Sequence, residues 1–271
     1  GYLTLRATDA VLPEVTGTYR ENRGLMVCGT PVGGDEFIEE TMLDVVEKYQ
    51  TLHKRTRDMS ETQCQYLLLR YCTCQNLNHW LRTVRPDLMR TAADLFDEET
   101  LATLQSILWA TGEAEHSINL TELQVMQVRQ HCKLGGLGLS SAATVMPAAW
   151  LGSWCLTKNL VKDRFKETRF STMLDNLDTN IHQNITVQSI KDTYDELSSA
   201  FSRAGQLDKM PELNHLETLK SQAQRHFADA LLKNLQTDLL SLAGPDDAAR
   251  LRSCSGPKAS SWLNCIPKLD L

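Results

Sequence analysis

The sequence predicts a mainly α fold, a multi-helix bundle with a small β element at its N-terminus. Three observations predict it. Short β-rich runs bounded by Gly, Pro and Asn are confined to residues 1–34. From Gly34 onward, apolar residues recur at steps of three and four. Capping pairs and Gly-Pro stops punctuate the rest of the chain. The 271 residues make one large domain or two small ones, enough for a real core. Hydrophobic residues at 42% and charged residues at 23% exclude a disordered chain and read as soluble and globular.

Tyr2-Leu-Thr-Leu and Leu25-Met-Val-Cys28 read as strands. Ile38, Met42, Val45, Tyr49 and Leu52 then mark a helix over 35–56. Ser60, with Gln63 three residues on, resembles a capping box. The stripe Leu67, Leu68, Tyr71, Cys74, Leu77, Trp80, Leu81 and Val84 predicts one continuous helix behind that cap, ended by Arg85-Pro86. One or two helices come next in 87–110, stopping near Gly112. Thr121 and Gln124 cap a helix running to about Cys132, and Leu134-Gly-Gly-Leu-Gly-Leu139 is a turn. Residues 141–166 read as helical, with Pro147 near a first turn or a kink. Further helices are expected over 170–183, 187–204 and 211–243. The last would carry Leu213, Leu216, Leu219, Phe227, Leu231, Leu235, Leu239 and Leu242 on one stripe. Gly244-Pro245 stops it, and a short helix near 246–254 finishes the chain.

Leu134 to Thr157 is 24 residues without a charge, long enough to span a bilayer. Gly135, Gly136, Gly138, Ser140, Ser141 and Pro147 interrupt it, so a buried helix entered through a glycine turn is expected instead. The first segment has no charged n-region followed by an apolar run, so no signal peptide is read. A cytoplasmic or nuclear compartment is expected. The start at Gly1 and the stop over Pro267 to Leu271 read as cuts in a longer chain.

Sequence signals for catalysis are weak. The eight cysteines form no CxxC pair and the seven histidines have no ligand spacing, so no zinc site is expected. Cys64 and Cys72 are expected to pack as small hydrophobes. Gly24 to Gly29 lacks a following Lys-Ser/Thr, and HExxH and GxSxG are missing. Asp246-Asp247 is the only adjacent Asp pair, and its place after Gly-Pro marks it as a helix start that suits the helix dipole. No small-molecule ligand is indicated.

Charge is uneven. The whole chain is at −6, which is not a classical basic nucleic-acid binder. From Lys48 to Arg90, however, eight Lys/Arg stand against three acids, and from Thr91 to Leu123 seven acids stand with no Lys/Arg. Phosphate contact needs such a local basic group. The competing explanation is that these cations solvate exposed helix faces.

Four segments, in order, resemble the region after the catalytic palm in LINE-type, non-LTR retroelement reverse transcriptases. The first is Gly24-Leu-Met-Val-Cys-Gly-Thr-Pro-Val-Gly-Gly-Asp-Glu-Phe37. The second is Asn76-Leu-Asn-His-Trp-Leu-Arg-Thr-Val-Arg-Pro86. The third is Gly135-Gly-Leu-Gly-Leu-Ser-Ser-Ala142 with Pro147-Ala-Ala-Trp-Leu-Gly-Ser-Trp154. The fourth is Ser253-Cys-Ser-Gly-Pro-Lys-Ala-Ser-Ser-Trp-Leu263. Cys28 stands where that family usually has Leu, Arg85 where it has Pro, and Ser140 where it has Arg, removing a cation beside the glycine turn.

The resemblance implies that residues 1–34 are the end of a palm-like β element. Residues 35–271 would be a helical thumb or connection region, with a possible sub-boundary near 170. The metal-binding Tyr-x-Asp-Asp box of the family does not occur in the chain. No cofactor is therefore expected here, Mg²⁺ belongs only to the missing upstream palm, and the chain is not expected to catalyse by itself. The implied partner is an RNA/DNA primer–template duplex, held weakly by its backbone. Lys54, Arg55, Arg57, Arg82 and Arg85 are the expected nucleic-acid-binding residues. The acidic 91–123 stretch should face away from phosphate. The competing reading is a helical interaction or scaffold protein using the 211–243 stripe as its partner helix.

Overall fold

The computed structural model describes residues 24–109, 119–166, 168–178, 184–219 and 221–265. The expected strand at Tyr2, the stop near Gly112 and the end of the 170–183 helix lie outside the described residues. Among those residues the fold is mainly α, with one two-stranded sheet.

The sheet is an antiparallel hairpin of β1 (Gly24–Val27) and β2 (Thr30–Gly33), in register from Gly24 opposite Gly33 to Val27 opposite Thr30. Cys28 and Gly29 turn the chain with φ of 50° and 80°. Two positive φ values in a two-residue loop match the right-handed strand twist, which makes the hairpin tight.

Helix α1 (Asp35–Arg57) comes next, acidic at its start and basic at its end, as its dipole favours. It buries Phe37, Met42, Val45, Val46, His53 and Thr56. The single helix expected over 60–84 is instead three pieces: α2 (Thr62–Leu68), a π turn (Leu69–Thr73) and α3 (Asn78–Thr83). Ser60 caps none of them. Glu61 precedes α2 without a side-chain cap, and Gln63 Nε2 is spent on the carbonyls of Leu263 at 2.9 Å and Cys265 at 3.1 Å. The π turn also rotates Cys72 into solvent, so it does not pack as expected, and Cys64 is only half-buried. Cys74 is the buried thiol of this stretch, and burial pushes its pKa up to about 12.

Pro86 opens α4 (Pro86–Trp109), where its fixed φ and missing N–H cost nothing. The capping box at Thr121 and Gln124 is present with both bonds and opens α5 (Glu122–Arg129). After the glycine turn, Ser141 accepts from the Thr144 N–H at 3.0 Å and opens α6 (Ala142–Arg164). Pro147 lies inside α6 and cannot donate to the Ala143 carbonyl. Arg90 Nη1 takes that carbonyl at 3.4 Å.

Helix α7 (Arg169–Asp175), α8 (Ile185–Arg203), α9 (Ala223–Leu242) and α10 (Pro245–Ser253) complete the set. The helix expected over 211–243 is shorter than its stripe. Leu213 and Leu216 are buried from a 3-10 turn (Leu213–Thr218), not from α9. Both lie in the same core as Phe227, so the pattern reports burial correctly and helix continuity wrongly.

Helix α6 joins two cores. Ala142, Met146 and Ala149 pack with α1, α3 and α4, while Ala148, Leu151 and Cys155 pack with α8 and α9. A side chain at Gly152 would place Cβ 2.7 Å from the Gln224 amide N, so the two helices touch only because that position is glycine. A third core, under the glycine turn, gathers Tyr66, Leu69, Cys74, Leu104, Val128, Cys132 and Leu139. Among the described residues no helix is long and apolar enough to cross a membrane.

His53 is fully buried against Phe96, with Nδ1 3.0 Å from Thr103 Oγ1. Burial lowers its pKa to about 4, with Glu99 opposing and Arg57 assisting. The folded value is below the unfolded one. The unfolded chain therefore takes the proton first, and stability falls as pH drops from about 6.5 towards 4. The loss expected from this ring is on the order of 2 to 3 kcal/mol. His53→Phe should melt with a smaller Tm difference between neutral and acidic buffer than the parent. Equal differences would show that the acid sensitivity lies elsewhere.

Candidate nucleic-acid interface

The hairpin is fixed to α3 by polar contacts. Trp80 Nε1 donates to the Gly29 carbonyl at 2.9 Å, and its ring packs edge-on against Tyr49 at 6.1 Å. Thr30 Oγ1 donates to Thr83 Oγ1 at 3.1 Å, and Thr83 donates to the His79 carbonyl at 3.0 Å. The Thr30 hydroxyl proton is thereby used, so its 3.1 Å contact with His79 Nε2 must be donated by the ring. That fixes the Nε2–H tautomer and ties the turn to the helix from two sides.

The five expected binding residues fall into two groups. Lys54 and Arg55 are exposed on the last turn of α1, without a carboxylate partner among the described residues. Arg82 is exposed on α3 and donates from Nε to Gln224 Oε1 at 2.8 Å, a neutral partner. Arg57 is instead paired with Glu99 at 2.6 Å and donates to Thr103 at 2.8 Å. Arg85 is paired with Asp87 at 2.7 Å and Asp35 at 3.3 Å, and its side chain is only 13% exposed. Burial opposes the Arg85 charge, but the hydrogen bond and charge of Asp87, then Asp35, outweigh it and hold its pKa above the ordinary value. Arg85 clamps the start of α1 to the start of α4. It lies beyond the extended Val84 that ends α3, so it does not share a helical side with Arg82.

The acidic stretch divides likewise. Asp94 and Glu98 are exposed, and Glu99 neutralises Arg57. Asp97 is buried and holds the start of α6. Its carboxylate accepts from the Ala142 N–H at 2.8 Å, the Ala143 N–H at 3.2 Å and the Ser141 hydroxyl, and it pairs with Arg129 at 3.5 Å.

A second basic group escapes the sequence reading because its members are far apart in the chain. Arg70 comes from the π turn, His131 and Lys133 from the residues leading into the glycine turn, and Arg225 from α9. Burial lowers the His131 pKa, aided by the charges of Arg70 and Lys133, then Arg225, with Asp229 opposing. In the sequence, Arg70 is visible only as one cation among eight.

Among the described residues no group of three His, Cys, Asp or Glu side chains could hold an ion. Asp246 and Asp247 lie in the first turn of α10, and Asp247 is paired with Arg250 at 3.2 Å.

Comparison with family models, curated proteins and solved structures finds no match for this chain.

Proposed function

We propose that the chain is the palm-to-thumb portion of a retroelement RNA-directed DNA polymerase, contributing backbone contacts to a primer–template duplex and no catalytic group. The observation that carries the reading is the docked hairpin. Gly24–Gly33, part of the first segment that resembles the family, is tied by its turn to α3 through Trp80, His79 and Thr83. The same helix presents Arg82, and α1 presents Lys54 and Arg55 as exposed cations. The scaffold alternative rests on the 211–243 stripe, of which Leu213, Leu216, Phe227 and Leu239 are buried within the fold, Leu231 and Leu235 are half-buried and Leu242 is exposed.

Charge reversal tests it. Lys54→Glu, Arg55→Glu and Arg82→Glu together should weaken binding of a duplex oligonucleotide at low salt by about tenfold or more. The slope of log K against log salt should fall by about 0.9 for each duplex phosphate no longer neutralised. Glu98→Gln should leave binding unchanged or slightly tighter. Equal affinity of parent and triple variant would reduce the cations to a solvated face and sink the reading. Arg85 is left out because its carboxylate partners make its replacement a test of folding. Primer extension by the 271-residue chain with Mg²⁺ and dNTPs should remain at background.

A further inference from the structure

The geometry points to a second binding surface on this chain, a stacking platform for single-stranded nucleic acid formed by Tyr71 and Trp262, with Arg70 and Lys133 beside it for phosphate. It deepens the polymerase reading and rests on it.

Four observations converge. First, Tyr71 and Trp262 are 55% and 66% exposed, while Trp80 and Trp150 are packed into the fold. A large aromatic ring left in water is a cost unless something covers it. Second, Tyr71 is displayed by the π turn Leu69–Thr73, which buries Leu69 and Thr73 while pointing the residues between them outward. Such turns are rare and concentrate at functional sites.

Third, Tyr71 is hydrogen-bonded to the turn that carries Trp262. Tyr71 Oη donates to Asn264 Oδ1 at 2.8 Å, Arg70 Nη1 donates to the same oxygen at 2.5 Å, and Trp262 is two residues from Asn264. The Arg70 guanidinium lies 4.7 Å from the Tyr71 ring centroid, so it covers one face of the ring. Trp262 is on a short 3-10 turn (Ser261–Asn264) anchored by buried Leu263, and the chain before it is pinned to the glycine turn. The Gly256 N–H donates to the Lys133 carbonyl at 3.0 Å, and Leu134 bridges Ser255. Tyr71 and the turn carrying Trp262 are thus pre-positioned, and stacking there does not require ordering a loop.

Fourth, basic side chains outnumber acidic ones there. A cleft of about 270 Å³ opens beside Tyr71, lined by Arg70, Gln75, His131 and Ser140 among others. His131 in turn feels Arg70 and Lys133, then Arg225, with Asp229 opposing. Cations beside exposed rings are the combination that binds single strands without reading sequence, because every base has a π-face and every linker a phosphate. The fourth segment of the family resemblance ends on Trp262 and Leu263. The buried Leu263 explains itself as core, whereas the exposed Trp262 is left without a packing role.

The test uses the 271-residue chain and a fluorescein-labelled oligothymidylate, read by anisotropy at low salt. Tyr71→Ala and Trp262→Ala should each weaken binding by about fivefold or more. Tyr71→Phe, which keeps the ring and loses the Asn264 bond, should bind like the parent and so separates stacking from local structure. None of these variants should change duplex affinity. Parent-like binding of the oligothymidylate by both alanine variants would overturn the platform. So would a parent that binds duplex but not single strand, which would leave the duplex reading intact. A parent that binds neither would remove both.

Discussion

Asp97→Ala is expected to destabilise the fold by about 3 to 5 kcal/mol. Two losses combine. The carboxylate accepts the first two backbone N–H groups of α6 and the Ser141 hydroxyl, and those donors would be left facing protein. The substitution also strands Arg129, which is 9% exposed and whose only carboxylate partner among the described residues is Asp97. Its remaining bonds, to the carbonyls of Asp97 at 3.0 Å and Leu139 at 3.4 Å, do not neutralise the charge. Helix α6 contributes to two of the three cores, so the defect should reach the whole fold. Urea denaturation should show a lower midpoint with little change in slope. Asp94→Ala, three residues away and exposed, should stay within about 0.5 kcal/mol of the parent. Adding Arg129→Met to Asp97→Ala should recover part of the loss, since the stranded charge is gone. Equal midpoints for the Asp97 and Asp94 variants would show that Asp97 is not the support described.

The legible parts of the fold are those whose causes lie within four or five residues. The Thr121–Gln124 capping box, the Pro245 start of α10, the glycine turn and the end of strand periodicity at Gly34 all appear where the sequence puts them. The illegible parts depend on partners far along the chain. Gln63 looks like half of a cap, but it is claimed by carbonyls about 200 positions away. The stripe from Leu67 to Val84 hides a π turn, because a widened turn keeps the same residues apolar while shifting the register. Leu213 and Leu216 fit the stripe of α9 and reach the same core by a different backbone.

Charge is the least legible feature. Counting cations over 48–90 locates a basic segment, but which cations stay available depends on tertiary partners. Glu99 takes Arg57, Asp87 and Asp35 take Arg85, and the Pro147-freed carbonyl takes Arg90. Asp97 counts as a surface acid by composition and is in fact a buried support for α6. The Arg70–His131–Lys133–Arg225 group is assembled from three separate segments, so no window of sequence could show it.

The largest single effect is expected at Gly136. A Cβ there would lie 2.0 Å from the Gln130 carbonyl oxygen and 2.6 Å from the Gln127 carbonyl oxygen, both backbone atoms that cannot swing aside. The turn is also closely hydrogen-bonded, with the Gly138 N–H donating to the Gln130 carbonyl at 2.8 Å and the Leu137 N–H to the Gln127 carbonyl at 3.2 Å. Relieving the clash means opening those bonds, and the turn carries fully buried Leu139 and buried Cys132 into the third core. Gly136→Ala is therefore expected to cost more than about 4 kcal/mol, at the exceptional end for one substitution. In a chain of this size that is a Tm lower by about 10 °C, or failure to accumulate as folded protein. Gly244→Ser supplies the contrast. Nothing lies within 4 Å of the Cβ position, and Gly244 caps α10 without a side-chain bond. Serine there can accept from the first-turn N–H groups, so a gain of a few tenths of a kcal/mol is expected. A Gly136→Ala melt within about 2 °C of the parent would mean that the turn relaxes freely. The placement of His131 and Lys133 beside Tyr71 would then lose its support.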